Sequence, residues 1–278
     1  MLVAVISDLA PSERPGGATR MLGRLLGVAP DDIVVDLIQP SHSQPVEAIA
    51  AADVVVSYLA QRARPEALEA VVSHPAHVRI ETGLWAEPGN SEWRKALSER
   101  AVATLYDSPM HQRLYAERWG VAPSNPYVLP CPIPVAEIRA HALDPRERDL
   151  GIVWAGEWSV DKGADLAMRW AADHRLGVDF YSPSMDVANQ VPAQFCNFKG
   201  FVPEADWYPT LARYSKLIHF PRVPEPFPYI VMEAFALGLQ VEMTGRVGIE
   251  SYDCDMVELL DRCDRAAGEF WDIVRSAK

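Results

Sequence analysis

Short β-branched apolar runs, separated by stretches of helix length, recur along this chain, and that alternation constrains its fold more than any other feature. LVAVIS, DIVVDLI, DVVVSYL, HVRIE, AVATLY and PYVLP occupy the first half, and DLGIVWAG, LGVDFYS, QFCNFKGF, SKLIHF and LQVEMT the second. Strands alternating with helices at this spacing build βαβ units and therefore parallel sheets. Near-continuous apolar strands suit a sheet covered on both faces. The leading MLVAVIS is too short for a signal-peptide core or a membrane span and carries no positive charge ahead of it, so it reads as the first strand.

Between the two series lies APSNPYVLPCPIPVAEIRA, with Pro123, Pro126, Pro130, Pro132 and Pro134. So many prolines suit neither a helix interior nor a central strand, which makes this segment the crossover between domains. Two similar α/β halves are expected, residues 1–140 and 141–278, the second closing in the helical tail DMVELLDRCDRAAGEFWDIVRSAK. At 278 residues, 49% hydrophobic and 23% charged, the chain can build two real cores. Its 26 basic side chains against 38 acidic ones disfavour nucleic acid and anionic membrane as partners. Cys131, Cys196, Cys254 and Cys263 are scattered, without CxxC or zinc spacing. They read as reduced thiols in a cytoplasmic protein, and no metal site is expected from them.

The chemistry is expected in EPFPYIVMEAFALG, Glu225 to Gly238. Between Pro226 and Val241 the only carboxylate is Glu233, flanked by Val231, Met232, Ala234 and Phe235. Burying it unpaired costs several kcal/mol, so something must donate to it. Pro228 suits a helix start and Gly238 the position past its end. The unpaired N–H groups of such a start form an anion site.

This stretch resembles the E-x7-E signature of retaining GT-B glycosyltransferases, the group 1 or family 4-like type. Glu225 and Glu233 have the spacing, and Phe227 and Pro228 match the Phe-Pro that many members carry next. KGFVPEADWYPTLARYSKLIHFPRVPEPF and LQVEMTGRVGIES resemble the flanking segments, and IVWAGEWSVDKGADLAMRWA resembles the opening of the family's donor domain. The resemblance implies two Rossmann-like domains, their parallel sheets facing a central cleft, with an N-terminal acceptor domain and a C-terminal nucleotide-sugar donor domain. It implies that Glu233 binds the ribose hydroxyls, Glu225 the donor sugar and Lys162 the diphosphate. RPGGATR resembles the family's glycine-rich loop, where Gly16 and Gly17 let backbone approach a ligand. YDSPMHQRLYAERWG resembles the segment, a Ser followed by a helix, near the end of the acceptor domain.

Two departures stand against that pattern. Gly156-Glu157 replaces the usual Gly-Arg, which leaves Arg222 or Arg246 to supply the missing cation. ETGLW, with Glu81 and Thr82, stands where the family's histidine is expected. His42, His111 and His219 read as ordinary histidines, and Asp253 to Asp255 as a helix cap rather than a metal-binding DxD. The function implied is transfer of a sugar from a nucleotide-sugar of the UDP or GDP type, a UDP-sugar in the first place, to an acceptor hydroxyl, with retention and without a required cofactor. The acceptor stays open: glycan, lipid-linked sugar, protein, small molecule or modified base. Two rivals share the fold, a non-catalytic nucleotide-sugar-binding partner subunit and a sugar-nucleotide epimerase.

Overall fold

The computed structural model describes residues 1–8, 17–40, 42–60, 62–81, 91–183 and 194–278. The chain divides into two compact units, Met1–Pro132 with Arg265–Lys278, and Ile133–Asp264.

The first unit carries a six-stranded sheet in the order β2-β1-β3-β4-β5-β6. The strands are β1 (Leu2–Ser7), β2 (Val34–Ile38), β3 (Val54–Tyr58), β4 (His77–Ile80), β5 (Ala103–Tyr106) and β6 (Pro126–Val128), and every pairing is parallel. Helices α1 (Gly17–Gly27), α2 (Pro45–Ala51), α3 (Pro65–Ser73), α4 (Ser91–Arg100) and α5 (Pro109–Trp119) connect them. Val3 to Ile6 and Val54 to Val56 are buried without alternation, as helices on both faces require.

The second unit opens with α6 (Val135–Arg139) and carries a five-stranded parallel sheet in the order β11-β10-β7-β8-β9. Its strands are β7 (Leu150–Ala155), β8 (Val178–Tyr181), β9 (Cys196–Gly200), β10 (Tyr214–His219) and β11 (Gln240–Met243). Helices α7 (Ala164–His174), α8 (Glu204–Ala212) and α9 (Tyr229–Ala236) connect them, and α10 (Met256–Ser276) ends the chain. From β7 the chain runs outward through β8 and β9, then returns to the other side of β7 as β10 and β11. The carboxyl ends of β7 and β10 thus flank the point where strand order reverses, which in open parallel sheets is where ligands bind.

The expected division at residue 140 falls instead at Pro132, inside the proline-rich crossover. The tail, expected wholly in the second half, is shared. Asp264 Oδ1 accepts the N–H of Val135 at 3.0 Å, which ties the start of α10 to the second unit. From Arg265 onward the helix belongs to the first unit. There Trp271, fully buried, donates its indole N–H to the carbonyl of Leu25 at 2.8 Å, and Arg275 and Lys278 pair with Asp32 and Asp53. Asp255 accepts the N–H of Glu258 at 2.9 Å and caps the helix, as expected of that acidic cluster. No described helix is long and apolar enough to cross a membrane.

Candidate functional site

Two loops meet at the switch point of the second unit. The turn after β7 is anchored by Trp158, whose ring stands edge-on to Trp154 at 5.8 Å and to Phe198 at 5.2 Å. It ends at Gly163, in the left-handed region with φ 70°, immediately before α7. The loop after β10 leads through Phe220 and Pro221 to Glu225. The two loops are bonded directly, the N–H of Arg222 donating to the carbonyl of Asp161 at 2.9 Å. A third segment fixes Glu225 itself: its N–H donates to the Arg246 carbonyl, and its own carbonyl accepts from Gly248, both at 2.9 Å.

That backbone brings Lys162, Glu225 and His219 together. Lys162 Nζ pairs with Glu225 Oε1, and His219 Nε2 lies 2.8 Å from Glu225 Oε2. Burial pushes the Glu225 carboxyl up, but the hydrogen bond and charge of His219 and the charge of Lys162 outweigh it and hold the group at about 2. Glu225 is therefore ionised through the neutral range and acts only as an acceptor. Lys162 keeps roughly a third of its side chain exposed, while His219 is buried at the end of β10.

Helix α9 begins beside this group. Its sequence, YIVMEAFA, is apolar all round except Glu233, so it is buried on nearly every side. Pro228 stands at the N-cap position, one residue before the first turn expected for it, and no side chain caps the helix N-terminus. The N–H of Val231 turns back to the carbonyl of Pro228 at 3.2 Å, and the positive end of the helix dipole faces the Glu225 loop, where it favours an anion. Gly238, with φ 74°, ends the helix as expected. Arg148 donates to the carbonyls of Leu237 and Gly238 at 2.9 and 2.8 Å, placing a cation at the negative end of the helix.

The other candidate residues fall as follows. Glu233 is 1% exposed, and its Oε2 accepts the indole N–H of Trp207 at 3.0 Å, which supplies a donor that the sequence requires without naming. Phe227 is buried edge-on to Tyr252, at 6.4 Å. Arg222 forms a two-point ion pair with Asp165, and Arg246 donates to the Arg222 carbonyl. Glu157 is exposed. Gly17 opens α1 and is exposed, whereas Gly16 lies outside the described residues.

Two of the histidines read as ordinary lie against carboxylates. His219 contacts Glu225, and the sequence holds one signal of it, a lone imidazole closing the apolar run of β10. His111, in α5, lies with Nδ1 3.7 Å from the Asp107 carboxylate and is fully buried. In the slot where a histidine is expected, Glu81 is fully buried and forms a two-point ion pair with Arg79, at 2.7 and 3.2 Å. Thr82 lies outside the described residues. Among the described residues no group of His, Cys, Asp and Glu could hold a metal ion.

The chain has the GT-B fold, two α/β units each built on a parallel sheet. Solved structures match it over its whole length. A crystal structure of Anabaena HepE in complex with UDP and glucose superposes with a TM-score of 0.70 at 14% identity, covering 100% of this chain and 92% of that one. Sucrose-phosphate synthase from Thermosynechococcus elongatus gives 0.67 at 16%, covering 99% and 94%. An alpha-glucosyltransferase in complex with UDP and a 13-mer DNA containing an A:G mismatch gives 0.62 at 9%, covering 100% and 93%. At these identities the likeness is one of fold. No family model matches the chain, and no curated protein matches it.

Proposed function

We propose that this protein is a glycosyltransferase that takes its sugar from a nucleotide-sugar, a UDP-sugar, bound in the second unit. The observation that carries the reading is the ionised Glu225 held between Lys162 and His219 at the switch point, beside the uncapped start of α9. Such a site offers a diphosphate a cation and the positive end of a helix, and offers a sugar hydroxyl a carboxylate acceptor. The structures of HepE and of the alpha-glucosyltransferase with UDP support the choice of nucleotide.

In this reading Lys162 and the N–H groups of α9 stabilise charge on the diphosphate as the bond from the sugar C1 to the phosphate oxygen breaks. Glu225 orients the sugar, and Glu233, steadied by Trp207, takes the ribose hydroxyls. Phe227 and Pro228 fix the path of the loop between them. The acceptor, assigned to the first unit, forms the new bond to C1 from the face the diphosphate leaves. Its proton passes to a diphosphate oxygen, giving retention, and no step requires a metal or cofactor. A bound DNA accompanies UDP in the structure of the alpha-glucosyltransferase neighbour. The acidic charge of this chain favours a neutral or small acceptor instead.

A second reading, a nucleotide-sugar-binding subunit without turnover, is favoured by two observations. Arg222 is committed to Asp165, and Glu157 occupies the position of the arginine implied by the resemblance. Calorimetry with UDP, GDP and ADP, followed by mass spectrometry of the bound UDP-sugar incubated with acceptors, separates the two. Binding of UDP in micromolar range with release of free UDP and a glycosylated product establishes transfer. Binding without release over hours establishes the subunit, and no binding of any nucleotide overturns both.

A further inference from the structure

Glu225 sits in a loop, and a carboxylate on a loop is poorly oriented unless neighbours lock it. Its terminal torsion is broad and roughly two-fold, so a backbone fixed by Arg246 and Gly248 does not by itself aim the oxygens. Lys162 cannot do so alone, because an ammonium on a flexible four-carbon stem is a mobile point charge. His219 is different in kind. It ends β10, which lies between β7 and β11 in the sheet, and pairs in register with Met243 of β11. Its side chain is 4% exposed, and its Nε2 lies 2.8 Å from Glu225 Oε2. Because the carboxylate can only accept, Nε2 must carry the proton. Among the described residues the other ring nitrogen, Nδ1, is buried without a hydrogen-bond partner, so the polar contact seen for this imidazole there is the one with Glu225.

We propose that His219 is the positioning residue of this site: from its rigid place at the end of β10 it holds Glu225 Oε2, leaving Oε1 turned toward Lys162 and the donor sugar. This rests on the reading of Glu225 as the acceptor for a donor-sugar hydroxyl. His219 touches neither the sugar nor the diphosphate, and its effect falls on the sugar alone. Loss of the imidazole leaves a partly buried carboxylate free to turn and costs sugar recognition, while nucleotide recognition by Lys162 and α9 persists.

The test compares wild type, His219→Leu and His219→Gln, the last retaining an N–H donor, with UDP and UDP-glucose as probes in calorimetry. A parallel ¹³C NMR titration of the Glu225 carboxyl needs no ligand. The expected result is UDP affinity within about twofold of wild type in both variants. The gain in affinity from UDP to UDP-glucose falls by about tenfold or more in His219→Leu and returns substantially in His219→Gln. The carboxyl midpoint rises from about 2 in His219→Leu and rises less in His219→Gln, which keeps a donor but not the charge. An unchanged gain together with an unchanged midpoint in His219→Leu overturns the positioning role while leaving the donor reading in place. If wild type binds neither probe, the donor reading falls and takes the sugar-orienting role with it, even where the titration shows the His219 bond intact.

Discussion

The carbonyl oxygen of Phe220 occupies the place where a β-carbon on residue 163 would be: a Cβ built on Gly163 meets that oxygen at 1.8 Å and the carbonyl carbon at 2.7 Å. Both atoms are backbone and cannot swing aside as a side chain tip can. The φ of 70° at Gly163 adds a conformation that other residues adopt only under strain. Gly163→Ala should therefore lower stability by about 2 kcal/mol or more and push the Lys162 turn away from Glu225. Urea denaturation reads the first effect. The second appears as weakened UDP binding, and unchanged stability and binding together would show that the two loops do not depend on this approach.

Glu225 ties stability to acid. Its folded value of about 2 lies below the ordinary 4.5, so its stabilisation is fully present above pH 4.5 and is lost as pH falls toward 2. Glu225→Gln should be less stable than wild type at pH 7 by up to about 3 kcal/mol, and the gap should close by about pH 2 to 3. Denaturant midpoints of the two proteins from pH 2.5 to 7 give the difference directly. A gap that does not depend on pH would mean that the carboxylate is not held by Lys162 and His219.

Asp107 works in the opposite sense. Burial drives its carboxyl up to about 7 from an ordinary 3.8, against a smaller opposing effect of a hydrogen bond from Cys131. Between those values the unfolded chain releases the proton and the folded chain keeps it, so stability falls as pH rises from about 4 to 7. Asp107→Asn removes the proton uptake. It should gain on wild type across this window, by roughly 4 kcal/mol at most, and hold the advantage at pH 8. Parallel stability curves for the two proteins would refute the raised value.

The strands were legible because parallel sheets covered on both faces need apolar runs, and each quoted run contains one of β1 to β11, save that β10 begins one residue earlier, at Tyr214. The need of Glu233 for a donor was legible too, since a lone carboxylate in an apolar helix cannot go unsatisfied. What the sequence could not reveal is which distant group answers each need. Arg222 and Asp165 are 57 residues apart, and the two segments that carry them also pack closely where Gly163 meets the backbone of Phe220. His219 reaches Glu225 across a loop containing Pro221 and Pro224, whose conformation no helical or strand periodicity encodes. The amphipathic pattern of α10 likewise says that one face is buried, but not that its second half is buried in the first unit.

The bond from Trp207 to Glu233 makes a separable demand on stability and on the nucleotide site. Trp207 is buried in α8, edge-on to Tyr181 at 5.8 Å, so its indole is held by packing as well as by Glu233. Trp207→Phe keeps an aromatic ring but removes the N–H, withdrawing a donor from a carboxylate that is 1% exposed. The expected cost is about 1.5 to 3 kcal/mol, the range for hydrogen bonds to charged groups. Much of that cost belongs to the Trp207–Glu233 pair, so Trp207→Phe should cost distinctly less in a Glu233→Ala background. If Glu233 takes the ribose hydroxyls, Trp207→Phe should also weaken UDP and UDP-glucose equally, because the ribose is common to both. A loss confined to UDP-glucose would instead place Glu233 on the sugar side of the site, and full additivity of the two substitutions would show that the bond contributes nothing of its own.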